Sequence, residues 1–164
     1  MRKPIVLAIL LFAVAVVPAD AGQETTVSAG VGGVFPAGTV FSGVPVSALE
    51  AGFGLEIEDG TALGEFFVAL LGTSVTGSPQ TITLTGKATA GTRTADNTAT
   101  FSGTVTVDLG TGVAPTVGVP FTATVVVGAD DRGTLGLVVG TTTLPNATID
   151  TGSMTVSVPA TVTP

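Results

Sequence analysis

The chain has no histidine, cysteine, tryptophan or tyrosine in its 164 residues. Without His or Cys there is no Ser-His or Cys-His nucleophile, and no imidazole or thiolate set for zinc. Without Cys there is no disulfide, even in an oxidising compartment. Without Tyr or Trp there are no aromatic girdles of the kind that mark membrane-spanning barrels. The aromatic platforms on which a polysaccharide site usually rests are missing too. Basic residues are nearly as scarce, at five Lys and Arg against twelve Asp and Glu.

Two of those five basic residues open the chain. Arg2 and Lys3 precede an apolar run from Ile5 to Val17, which Pro18 ends and Ala19-Asp20-Ala21 follows. A short positive region, an apolar core and small residues before the cut are the parts of a secretory signal peptide. The run is shorter than the roughly 20 apolar residues of a membrane-spanning helix. Residues 1–21 are therefore expected to be a leader cleaved before Gly22, with no transmembrane helix after it. The expected location is secreted, periplasmic or otherwise extracellular, in a bacterial host. No Cys lies at the cleavage point to carry a lipid.

Cleavage would remove Arg2, Lys3 and Asp20 and take the formal charge from −7 to −8. Lys87, Arg93 and Arg132 would be the only basic residues left. Three cations cannot neutralise many phosphates, so nucleic acid is an unfavourable partner, as is an anionic membrane surface. The 143 residues remaining suit one domain. Their Gly, Thr, Val and Ala content, with few long helix formers, favours sheet over helix.

Alternation with a period of two is the main local signal. Ile82, Leu84, Gly86 and Ala88 share one face of a strand. Phe101, Gly103, Val105 and Val107 do so in a second, and Phe121, Ala123, Val125 and Val127 in a third, until Val126 breaks the alternation. Leu135, Leu137 and Val139 follow, then Met154, Val156 and Val158. The opposite faces are rich in Thr and Ser. Such a pattern gives strands with one apolar side and one wet side. Asp59-Gly60, Gly77-Ser78-Pro79, Asp96-Asn97 and Gly110-Thr111-Gly112 supply turns, and no connection has room for a crossover helix. Residues 65–71 read as a strand buried on both faces. Residues 22–50 suggest short strands near 25–30 and 39–47. Leu144-Pro145-Asn146-Ala147-Thr148 lacks the Thr-Gly and basic-ended hydrophobic tail of a wall-anchoring signal and reads as a turn. The expected fold is all-β: one antiparallel domain of eight to ten strands over residues 22–158, either a sandwich or a small closed barrel. A tail, 159–164, follows it.

Carboxylates are the one reactive group left in quantity. Glu56 and Glu58 are two apart and share a strand face, with Asp59 next and Glu50 and Glu65 nearby. Paired carboxylates can hydrolyse glycosides when burial raises one pKa, but this pair falls on the wet face. The same acids, with Asp96-Asn97 and Asp130-Asp131, are oxygen ligands of the kind calcium takes. None has the spacing of a dedicated loop, and Asp at a hairpin tip serves turn geometry. Lys87 and Arg93 are expected on exposed positions flanking a hairpin, and Arg132 either in a surface pair with the neighbouring acids or simply solvated. Phe35, Phe41, Phe53, Phe66, Phe67, Phe101 and Phe121 are expected core residues.

No catalytic, cofactor or metal residue is assigned from this reading, and no cofactor. The expectation is an exported, non-catalytic β-domain with a structural or interaction role, its protein or envelope partner unidentified. Two alternatives stand beside it. One is a barrel holding a small apolar molecule among its Phe, Val and Leu side chains. The other is a carboxylate-based hydrolase. Thr- and Val-rich strands also permit a homo-oligomer through a sheet edge.

Overall fold

A computed structural model describes residues 24–158; the leader 1–21 and the tail 159–164 lie outside the described residues. Nine strands make one antiparallel sheet. They are β1 (Thr25–Val34), β2 (Val40–Phe41), β3 (Val44–Glu58), β4 (Thr61–Thr73), β5 (Pro79–Ala95), β6 (Thr98–Asp108), β7 (Thr116–Val127), β8 (Gly133–Val139) and β9 (Thr142–Ser157). From β3 to β9 each strand pairs with the next in sequence. β1 then pairs with β9 on one side, Thr26 opposite Ser157, and with β3 on the other, Thr25 opposite Ile57. The sheet thus closes into an eight-stranded barrel, with β2 as one extra strand on the end of β3. Of the two architectures expected, the barrel is the one formed.

Inside and outside follow the alternation. Ile82, Leu84, Phe101, Val105, Phe121, Ala123, Val125, Leu135, Leu137 and Met154 are buried in a single core. Between them Thr and Ser side chains stand on the outer wall, where Ser28 bonds Thr155 and Thr100 bonds Thr124 through their hydroxyls. A barrel in lipid would need the reverse, with Val and Leu facing out. Phe53, Phe66, Phe101 and Phe121 project inward from four strands and meet with ring centroids 4.4–6.2 Å apart. They fill the middle of the barrel with mixed stacked and edge-on contacts, the geometry aromatic pairs prefer.

Tight turns hold the register. Asp59 and Gly60 connect β3 and β4 with φ of 48° and 81°, the paired positive values of the hairpin turn that best matches strand twist. Ser42-Gly43 does the same between β2 and β3. That second turn corrects the reading of 39–47 as one strand. It is a hairpin, and β3 then runs on through Gly52 and Gly54 to Glu58. Pro45 sits within the β2–β3 pairing at the start of β3, opposite Val40.

Residues 144–148 are corrected as well. They belong to β9, with Leu144 and Ala147 buried. Leu135 pairs with Ala147 and Leu137 with Leu144, so Pro145-Asn146 is a bulge opposite Gly136 and not a turn.

Gly86 and Gly103 explain how the wall curves. Both face inward, yet neither opens a space. A Cβ on Gly86 would strike the Thr104 carbonyl oxygen, and one on Gly103 the Lys87 carbonyl oxygen. Each strand passes so close to its neighbour that only hydrogen fits, as glycine kinks require in a small barrel.

Candidate functional site

The side chains least expected from a one-face-apolar strand are on the outer wall of β3 and β4. β4 carries apolar residues on both parities. Ala62, Phe66, Val68 and Leu70 are buried inside, while Leu63 is 68% and Phe67 42% exposed outside. The expected burial of 65–71 on both faces holds at Val68, Ala69 and Leu70 but not at Glu65 and Phe67, which stand on the outer face of a closed barrel and meet solvent. Opposite that row β3 turns out glycine. Gly52 pairs with Phe67 and Gly54 with Glu65, and a Cβ at either glycine would meet nothing within 4 Å.

The result is a trough between taller side chains. Three clefts lie along it: the middle one, of about 470 Å³, shares Gly54 with one of about 450 Å³ and Glu56 and Leu63 with one of about 490 Å³. Glu56 lies beside Leu63, and Glu65 lies between Gly54 and Lys87 in the cross-strand register. Glu24, Glu58 and Asp59 line its end at the β3–β4 turn. Five carboxylates therefore border the trough, with Lys87 as the one cation among its lining residues.

Glu56 and Glu58 share the outer face as their spacing requires, and both are exposed. Neither is enclosed as the general acid of a glycoside hydrolase is, since both side chains stand in solvent. Glu50 and Glu65 are exposed too. Among the described residues no three acids come together as a metal-holding group. Asp96-Asn97 form the β5–β6 turn and Asp131, with φ of 59°, lies in the β7–β8 turn, and both turns bond to a neighbouring strand. The Asn97 side-chain amide donates to the Val127 carbonyl, and the Asp131 carbonyl accepts from the Met154 amide.

The basic residues divide. Lys87 is exposed, and Arg132 stands 4.0 Å from Asp130 in a surface pair, both as expected. Arg93 is not on an exposed position. The bulge in β5 at Ala88/Ala90 shifts the register before it, and Arg93 lies in the barrel mouth with its side chain only 25% exposed. Its terminal nitrogen donates to the exposed Asp96 carboxylate, while its buried Nε has no partner. Thr25, Ile57 and Gly91 line the same mouth, which opens as a cleft of about 430 Å³.

Sequence reasoning found the carboxylates but not the trough. The available signal was the apolar Leu63 and Phe67 at outward positions opposite Gly52 and Gly54. It becomes readable only when the β3–β4 register is known. No family model, curated protein or solved structure matches the chain.

Proposed function

We propose that the protein is an exported, non-catalytic interaction domain: a filled barrel whose working surface is its outer wall. The observation that carries this reading is the packing of Phe53, Phe66, Phe101 and Phe121 across the interior. Barrels that carry small apolar molecules keep that volume open. Here the rings occupy it, and the clefts lie on the wall and at the mouth. The acids that would serve a hydrolase stand in solvent, singly or at the edge of the trough. Closure also supports this reading over sheet-edge association, since among the described residues each barrel strand has neighbours on both sides and only the two-residue β2 has an open side.

The test is native mass spectrometry of the protein purified from the secreted or periplasmic fraction of its own host. The expected spectrum contains the bare chain, alone or with a protein partner. A small-molecule mass that leaves on denaturation would replace this reading with that of a carrier. Absence from those fractions would remove the exported role.

A further inference from the structure

Resting on that reading, we infer that the β3–β4 trough docks an extended, cationic segment of a protein partner. The floor at Gly52 and Gly54 has no side chains, so an occupant's backbone or apolar side chain can approach the wall closely. Leu63 and Phe67 stand exposed on the adjacent strand and supply apolar contact. Glu24, Glu56, Glu58, Asp59 and Glu65 border these groups and Lys87 alone opposes them, so the trough presents net negative charge.

The charge selects among occupants. A second copy seated symmetrically would bring one row of carboxylates against another, and like charges facing each other across an interface cost several kcal/mol. An anionic bilayer is repelled for the same reason. An uncharged glycan would leave the carboxylates unused and find one half-exposed Phe67 as its only ring. A chain with Lys or Arg alternating with apolar residues matches both features. Its apolar side chains settle over Gly54, flanked by Leu63 and Phe67 on the adjacent strand, and its cations reach Glu65, opposite Gly54, and Glu56 and Glu58, which project from the same face of β3. The acids gather toward the β3–β4 turn and Lys87 lies at the other end, so the cations of the partner belong at the turn end.

Binding of a fluorescein-labelled synthetic peptide of alternating Lys and Leu, followed by anisotropy, tests this on the protein as its host processes it. The wild type is expected to bind, and more weakly as salt rises. Gly54→Val fills the floor with a side chain that meets open space, and Leu63→Ser removes the apolar wall. Each is expected to weaken binding roughly tenfold or more. Val75→Ser, in the distant β4–β5 loop, is expected to leave binding unchanged. Glu56→Gln with Glu58→Gln is expected to flatten the salt dependence. No binding by the wild type, equal binding of a peptide with Glu in place of Lys, or full binding by the Gly54→Val variant would each overturn the assignment. Any of these outcomes would leave the interaction-domain reading intact. That reading falls separately, to a small-molecule mass in the native spectrum.

Discussion

Phe66 on β4 and Phe121 on β7 stack with centroids 4.4 Å apart and planes 12° from parallel, although β5 and β6 lie between their strands in the wall. The contact spans the inside of the barrel, and so ties opposite walls together without a backbone hydrogen bond. Phe66→Ala is expected to cost about 3–5 kcal/mol, the range for a buried ring replaced by a cavity. Phe67→Ser, one residue away and outside, is expected to change stability by about 0.5 kcal/mol or less. Urea unfolding midpoints of the two variants check the contrast, and similar losses would mean the rings do not carry the core.

Two glycines in the wall should answer substitution with opposite signs. Gly103→Ala pushes a Cβ onto the Lys87 carbonyl, where only backbone movement can relieve it. A loss of about 1–3 kcal/mol is expected. Gly54→Ala adds a Cβ that meets nothing and spares the unfolded chain's extra freedom, for a gain of about 0.5–1 kcal/mol. Thermal unfolding of both proteins against wild type provides the measurement.

Arg93 combines a packed stem with a buried nitrogen that no group accepts from. Replacing such a group by an apolar one of similar shape is close to neutral, whereas truncation loses the packing. Arg93→Met is therefore expected to equal or exceed wild-type stability, and Arg93→Ala to lose about 1 kcal/mol. A large loss in the Met variant would show that the guanidinium itself, through its pair with Asp96, stabilises the mouth.

β1 is the strand that closes the sheet. Deleting residues 24–34 leaves β3 and β9 each with an unpaired side, the condition that leads strands to pair between molecules. The shortened protein is expected to sediment as aggregates, and the intact one free of that edge-to-edge association.

The inward residues from Ile82 to Met154 were legible because one-sided burial imposes a period of two and the turn residues interrupt it. Long reaches of β3 and β9 were not. Gly52 and Gly54 give β3 no outward side chain to read, and Pro145-Asn146 imitates a turn inside β9. Arg93 was misplaced for a related reason: a bulge shifts the parity of every residue after it, and a bulge leaves no mark in composition. Barrel closure depends on β1 meeting both β3 and β9, a relation between distant segments that local pattern does not encode. The trough shares that dependence, since Leu63 and Gly54 become neighbours only through register.

The pairing of Thr26 with Ser157 places both ends of the described chain at one rim, on adjacent antiparallel strands. Tension applied through the flanking residues would therefore load the β1–β9 hydrogen bonds one after another from that rim. A bond row opened in sequence resists far less than one sheared all at once. Pulled from these two ends, the barrel would open as a zipper between β1 and β9 and not by shear of the whole bond row.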